Sequence, residues 1–481
     1  MALSEADTRA KLIDPAIHKR GWTEDLIRRE ETAGSIEIIG GKARRRARGK
    51  VDYVLRVKVN PDTQPVAVAL IEAKKDALPP GHGLDQAKGY AACKRLNVPF
   101  VFSSNGHMFV EFDGHTGLTS APRQMAEFPM PAELRVRYEE RIGFRLDAPV
   151  AKPLLTRYAG GEATRRYYQD AAIRAVLEKI ARCRLRGEPT RALLALATGS
   201  GKTFIAVNLL KRIADAGQLK RALFVCDRDE LRTQALRAFQ NVFGSDAAEV
   251  FRESDGTNHA KNARIHIATY QTLGVDTEYG DASFLTTYYP QNYFTHVVID
   301  ECHRSAWGRW SQVLTRNGNA VQIGLTATPR KIVENLRRLQ EERETIKASL
   351  LAEPPQVRES EADYQAVKKV LATREALADA ELCADNYRYF GEPAYEYDLA
   401  QAIEDGYLAA CEIQKGRVNL DDTGITIEEI LARNPVDAVT GEPITAEQLE
   451  ERYEKTDYED RILLPAALPA ALLHRAFAGE L

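Results

Sequence analysis

The sequence has no apolar run of the roughly 18 residues that a membrane helix needs. Its opening, Met1-Ala2-Leu3-Ser4-Glu5, lacks the pattern of a secretory signal. No membrane association is therefore expected. Cysteine is sparse and scattered: Cys93, Cys183, Cys226, Cys302, Cys383 and Cys411 form no CxxC pair. That excludes a zinc ribbon and a disulfide framework as readings, and it suits a reducing cytoplasm. Neither sign of charge dominates, with 66 Lys+Arg against 69 Asp+Glu, so the overall charge does not announce a nucleic-acid binder. Internal repeats are absent. The local exception to charge balance is the run Lys42-Ala43-Arg44-Arg45-Arg46-Ala47-Arg48-Gly49-Lys50, with six basic residues in nine. It reads either as a solvated loop or, beside a nuclease site, as a phosphate-facing patch.

What is present is an ordinary globular composition, 44% hydrophobic and 28% charged, over 481 residues, enough for about three domains. Residues 1–145 read as a mixed α/β unit. Strand candidates are 51–57, 66–72, 98–102 and 108–112, the last two separated by a turn at Asn105-Gly106. A Pro-punctuated linker occupies 146–165. Residues 166–335 alternate short apolar strands (192–197, 222–226, 265–269, 297–299, 322–326) with helical stretches such as 204–216. Buried strands alternating with helices predict a parallel α/β sheet. Residues 336–410 carry helical periodicity and then an exit segment, and 411–481 form a less regular C-terminal region.

Ala197-Thr198-Gly199-Ser200-Gly201-Lys202-Thr203 follows a strand candidate and opens a helix, which is the setting a phosphate-binding loop requires. Glycines allow the backbone to approach phosphates, and the helix N-terminus adds a favourable field. Lys202 would reach the β- and γ-phosphates of ATP, and Thr203 would hold Mg²⁺. Leu196 stands where the full pattern has its first glycine. About a hundred residues on, the apolar strand Val297-Val298-Ile299 ends in Asp300-Glu301, followed by Cys302-His303. Asp300 is placed to serve the Mg²⁺ shell, and Glu301 to polarise an attacking water.

These residues resemble superfamily 2 helicases. Asp300-Glu301-Cys302-His303 is similar to the DExH box, and Thr326-Ala327-Thr328-Pro329 to the motif coupling nucleotide state to nucleic acid. Tyr168-Gln169 resembles the Q motif, which implies that Gln169 reads adenine. Phe224-Val225-Cys226-Asp227-Arg228 and Ala268-Thr269-Tyr270-Gln271-Thr272 are similar to the strand-contacting motifs. With the loop at 197–203 they make six motifs in the superfamily's order, implying a RecA-like motor lobe. The nucleotide contacts fall to Gln169, Thr198, Gly199, Ser200, Gly201, Lys202, Thr203, Asp300 and His303.

A second pattern lies upstream. Asp52 is on a strand candidate, and Glu72-Ala73-Lys74 end another, with Glu72 and Lys74 on one face. Asp52 and Glu72 could hold Mg²⁺ while Lys74 steadies a water or the charge developing on phosphorus. A D…ExK match alone occurs in many unrelated chains, where it is a solvated face. Here Gln86 and Tyr90 follow at i and i+4 on one helix face. The set resembles the PD-(D/E)xK nuclease fold with the QxxxY motif of type I restriction R subunits. That resemblance implies a further acid from the first helix, either Glu5 or Asp7.

The order of nuclease module and DExH lobe resembles the type I R subunit over residues 1 to about 460. Tyr389-Phe390-Gly391-Glu392-Pro393 through Leu408 is similar to that family's segment leaving the first lobe. The resemblance implies an ATP-driven translocase and endonuclease that works on double-stranded DNA beside methylation and specificity subunits. The expected fold is an α/β protein: a restriction-endonuclease-like mixed sheet, a RecA-like parallel-sheet helicase lobe and a partly helical C-terminal segment. In 411–481 no second RecA-like lobe is recognisable, which suggests a C-terminally truncated chain with little ATP turnover on its own. The competing readings are a stand-alone nuclease–translocase of another defence system, or a fragment that only binds DNA.

Overall fold

The computed structural model describes residues 3–32, 36–39, 42–45, 50–85, 87–88, 96–114, 116–157, 166–226, 229–250, 258, 260–273, 284–302, 311–327, 386–405, 407–408, 425–426 and 452–453. Two compact units result, Met1–Glu37 with Arg45–Tyr407, and Ile38–Arg44 with Leu408–Leu481. In the latter, the described backbone includes Ile425–Thr426 paired antiparallel with Arg452–Tyr453. Among the described residues no helix is long and apolar enough to cross a membrane. Of the segment 336–410, whose sequence carries helical periodicity, residues 336–385 lie outside the described residues.

The larger unit is built on two sheets. Its N-terminal strands are β1 (Ile27–Thr32), β4 (Lys50–Val57), β5 (Val66–Ala73), β6 (Phe100–Ser104), β7 (Met108–Asp113) and β8 (Arg123–Gln124), in that spatial order. Between β1 and β4 in sequence, β2 (Ile36–Ile39) and β3 (Lys42–Arg45) form a separate two-stranded sheet, so the basic run of 42–50 opens as a strand. The larger sheet is mixed: β5 and β6 run parallel, and every other neighbouring pair is antiparallel. β5 is buried along nearly its whole length, because Val-Ala-Val-Ala-Leu-Ile offers apolar side chains to both faces. Helix α1 (Pro131–Ile142) packs on β4 and β5. Phe102, Phe109 and Phe128 pack as an aromatic triad with centroids 4.8–5.9 Å apart.

The second sheet has seven strands, all parallel: β9 (Arg191–Leu196), β10 (Ala222–Cys226), β11 (Ala247–Glu249), β12 (Ile265–Thr269), β13 (His296–Ile299), β14 (Val321–Thr326) and β15 (Tyr395–Tyr397). Their spatial order is β11-β12-β10-β13-β14-β9-β15. The five strands read from sequence are all present. β11 and β15 were not read, because three residues are too few to show periodicity. β15 pairs with β9, so the stretch read as an exit segment returns to the sheet.

Helix α2 (Tyr167–Arg186) joins the two sheets. It packs on β9 and β15, and thirteen of its residues are buried, including Arg174. A helix buried almost all round must be covered on more than one side. Its Arg174 guanidinium donates to the carbonyl oxygens of Ala67 on β5, Leu96 (2.6 Å) and Asn97 (2.6 Å). The Tyr138 hydroxyl of α1 donates to Glu178 of α2. A buried cation bonded to three carbonyls is costly to disrupt, since each loses its partner away from water.

Candidate functional site

Two groups of polar side chains collect at the ends of strands in the larger unit. The first lies on β4, β5 and β6. Asp52 sits one residue beyond the Tyr53–Ile71 pair of the antiparallel β4–β5 ladder, which sets it across from Glu72. Ser103 on β6 pairs with Glu72 in the parallel register. The three buried polar residues therefore stand side by side on neighbouring strands.

Glu72 is 2% exposed and Asp52 7%. The Asp52 carboxylate accepts from the Ala73 N–H at 2.7 Å and from Arg9 Nη1 at 3.0 Å. Lys74 Nζ donates to Glu72 Oε1 at 2.8 Å. Burial pushes the Glu72 carboxyl up to about 7, and the Asp52 charge adds to the effect. Asp52 is raised as well, chiefly by burial, against the pull of the Ala73 N–H and Arg9. Glu72 Oε2 is buried and accepts no hydrogen bond. Two mutually repelling buried carboxylates with an unsatisfied oxygen fit a cation better than they fit each other. Among the described residues, no group of three or more His, Cys, Asp or Glu side chains gathers closely enough to hold a metal ion. Any ion here would rest on this pair of acids with main-chain or solvent oxygens.

Of the two N-terminal acids, Glu5 is the one whose charge acts on both Asp52 and Glu72. Asp7 is turned to Lys11 at 2.7 Å and to the Ser4 hydroxyl. Three participants carried no sequence signal. Arg9 neutralises Asp52. Ser103 Oγ accepts from the Gly83 N–H at 3.2 Å. Gly83, at the end of the turn Pro80–Gly83, lies against Lys74 and Glu72. Gln86 and Tyr90 lie outside the described residues.

The second group surrounds the loop between β9 and helix α3 (Lys202–Asp215). Gly199 and Gly201 have φ of +83° and +88°, values that residues with a Cβ rarely adopt. A side chain on Gly201 would also meet Gln169 Nε2 at 3.0 Å. The Ser200 carbonyl accepts from Tyr168 Oη at 2.6 Å and Gln169 Nε2 at 3.3 Å, tying the start of α2 to the loop. Thr198 and Thr203 flank the loop, and Lys202 is its buried cation.

Lys202 Nζ lies 2.6 Å from Glu301 Oε1. Glu301 takes a left-handed backbone, φ +52°, in the turn after β13. Neighbouring strands tether that turn: Asp300 N–H donates to Val225 O at 2.9 Å and Cys302 N–H to Leu325 O at 3.0 Å. Asp300 Oδ1 accepts the Glu301 N–H at 3.0 Å. A left-handed glutamate held on both sides is a strained residue of the kind found at working sites. His303, Arg228 and Thr328-Pro329 lie outside the described residues. Thr326 ends β14, fully buried.

Beside the loop is an aromatic cluster that sequence reading missed. Tyr168 stacks on Tyr397 of β15, centroids 4.0 Å apart and planes 9° off parallel. Buried Asp405 accepts from Tyr397 Oη at 2.7 Å and from Tyr167 Oη. The Arg166 guanidinium lies 4.8 Å from the Tyr407 ring centroid.

The family described as "Type III restriction enzyme, res subunit" matches residues 162–331. The chain is 30% identical over 438 residues to the type I restriction enzyme EcoAI endonuclease subunit of Escherichia coli, covering 88% of this chain and 45% of that protein. It is 24% identical to the EcoKI endonuclease subunit of Escherichia coli (strain K12), covering 84% and 35%. The chain thus spans less than half the length of these curated relatives. Among solved structures, a fragment assigned to the HsdR subunit of a type I restriction enzyme from Vibrio vulnificus YJ016 is similar, with TM-score 0.56 and 29% identity over 84% of this chain and 61% of that one. The homologues of this chain are therefore type I restriction endonuclease subunits, and its two sheets share the mixed α/β architecture of the Vibrio vulnificus fragment.

Proposed function

We propose that this chain works as the restriction subunit of a type I restriction–modification complex, a type I site-specific deoxyribonuclease that uses ATP to translocate DNA and Mg²⁺ to cut it. The observation that carries the reading is the presence, in one compact unit, of the Asp52–Glu72–Lys74 group and the loop 197–203 with Asp300-Glu301. Residues 1–145 would be the nuclease module and 166–335 the motor lobe, with β15 added from the exit segment. The partners are double-stranded DNA and the methylation and specificity subunits. Because a specificity subunit would read the sequence, this chain need hold only backbone and shape.

At the nuclease site Asp52 and Glu72 are the residues that would hold Mg²⁺; at the ATP site they are Thr203 and Asp300. Bound there, Mg²⁺ supplies phosphate-charge neutralisation and a more acidic water. Lys74, already 2.8 Å from Glu72, places a cation where negative charge grows as the phosphodiester is attacked. At the ATP site Lys202 would turn from Glu301 to the β- and γ-phosphates. That frees the Glu301 carboxylate to take the proton of the attacking water. Gln169, fixed by the Ser200 carbonyl, stands at the edge of the loop, where the base would lie.

The test is reconstitution. The chain is mixed with methylation and specificity subunits and unmethylated duplex DNA, and cleavage is followed with and without ATP and Mg²⁺. Cleavage that needs both, and stable capture of the partner subunits, is the expected result. Cutting without partners would favour a stand-alone nuclease–translocase instead. Wild-type cutting by Lys74→Ala would sink the nuclease assignment.

A further inference from the structure

The turn Pro80–Gly83 lies over the nuclease group, and its last residue leaves no room for a side chain. A Cβ built on Gly83 would stand 2.5 Å from Lys74 Cε, 2.9 Å from Glu72 Cγ and 3.0 Å from Ser103 Oγ. These are atoms of the side chains that the nuclease reading uses, together with their neighbour on β6. Backbone conformation does not demand glycine here: Gly83 is in a 3₁₀ turn and is not among the glycines with positive φ. The requirement is for space alone. The turn is also pinned at that height, because the Gly83 N–H donates to the buried Ser103 hydroxyl at 3.2 Å.

We propose that Gly83 is a positioning residue for the nuclease site: its bare α-carbon lets the turn close down on Lys74 and holds the ammonium against Glu72. The inference rests on the nuclease reading above, yet its geometry can be tested without cleavage. An added methyl would meet the far end of a flexible side chain first. Lys74 is therefore the first to yield, and buried Glu72, whose Cγ would stand 2.9 Å away, must shift with it. Moving Cε by about an ångström breaks the 2.8 Å contact between Nζ and Glu72. Misplacement of that size at a reacting centre costs about 100-fold in rate.

The experiment is a double-mutant cycle on the full chain, comparing Gly83→Ala, Lys74→Ala and the pair. Three readouts are taken: the melting temperature without metal, the acylation rate of the Lys74 amine by mass spectrometry, and DNA cleavage in the reconstituted complex. For Gly83→Ala we expect a lowered melting temperature, because the added methyl overlaps Lys74 and Glu72, and a smaller drop where Lys74 is already alanine. Acylation of Lys74 should be several-fold faster than in wild type, where that side chain is only 11% exposed and paired. Cleavage should fall about 100-fold, and adding Gly83→Ala to Lys74→Ala should have no further effect.

Normal cleavage and normal acylation in Gly83→Ala would overturn the proposal. So would a drop in melting temperature of equal size in both backgrounds, because the glycine would then serve packing rather than Lys74. If Lys74→Ala itself cuts like wild type, the nuclease reading fails. The acylation result still decides whether Gly83 holds the lysine.

Discussion

Each sheet of the larger unit sets a glutamate against a lysine, Glu72 buried and Glu301 half-buried, and the two pairs are made in opposite ways. Glu72 near the end of β5 and Lys74 just past it are two residues apart in sequence and 2.8 Å from each other. The strand's alternation alone puts them on one face. In the parallel sheet, Lys202 and Glu301 come from different strand–helix turns and meet at 2.6 Å only because β9 and β13 both flank β14. The first glutamate has a second acid beside it and a carboxyl pushed up to about 7. The second sits on a left-handed backbone and is held by its neighbours' main chain. The first site stores electrostatic repulsion on a regular strand, where a cation would relieve it. The second concentrates its strain in turns, where binding of a phosphate could rearrange them.

The largest effects should separate the two lysines. In the reconstituted complex, Lys74→Ala should lower DNA cutting by about 1000-fold or more while leaving ATP hydrolysis intact. Lys202→Ala should abolish ATP hydrolysis and, because cutting in this scheme depends on translocation, cutting as well. Paired gel and phosphate-release assays check both. A Lys202→Ala complex that still cuts at the wild-type rate would show that the sites are not ordered as proposed.

A smaller effect tests how the sheets are joined. Arg174→Ala removes charge-assisted bonds to three carbonyls without touching either glutamate–lysine pair. It should destabilise the chain by about 3 kcal/mol. Arg174→Lys should recover less than half, since one ammonium cannot match the planar fork of donors. Chemical denaturation measures both. If Arg174→Ala melts like wild type, α2 joins the sheets without help from the guanidinium, through apolar packing and the Tyr138–Glu178 hydrogen bond.

What was legible in the sequence follows the same division. The mixed and parallel sheets could be read because strands such as Val66–Ala73 and Ala222–Cys226 are unbroken apolar runs. Glu72 with Lys74 was legible from spacing, and the loop at 197–203 from its glycines and following helix. The partners of those residues were not. Arg9 and Arg174 look like any other charge on a helix until the fold brings Asp52 and the Ala67 carbonyl to them. Gly83 looks like a turn residue, although its role is set by the volume of a lysine nine positions earlier. The choice between Glu5 and Asp7 depended on which faces the sheet, and spacing could not decide it. Tyr397 and Asp405 act through stacking and a shared carboxylate, contacts that bridge more than two hundred residues to Tyr167 and Tyr168.

The most gradual effect, at most about 1.4 kcal/mol for each pH unit crossed and each group, sets the two sheets against each other in pH. In metal-free solution Glu72 has a folded pKa raised from 4.5 to about 7, through burial and then Asp52. Above pH 7 the fold bears the full cost of its charge; below pH 4.5 that cost is gone. Stability from this group therefore falls as pH rises between those values. In the parallel sheet the sign reverses. Burial depresses His296 from 6.5 to about 3, and His266 to about 4. Their contribution is complete above pH 6.5 and is lost progressively as pH falls toward the folded values. Glu72→Gln should thus gain stability over wild type increasingly from pH 4.5 to 7. His296→Phe should gain on wild type in the other direction, as pH falls below 6.5. Denaturation midpoints in EDTA at half-unit pH steps give both slopes. Two slopes of the same sign would mean that burial is not what distinguishes the acids of the first sheet from the histidines of the second.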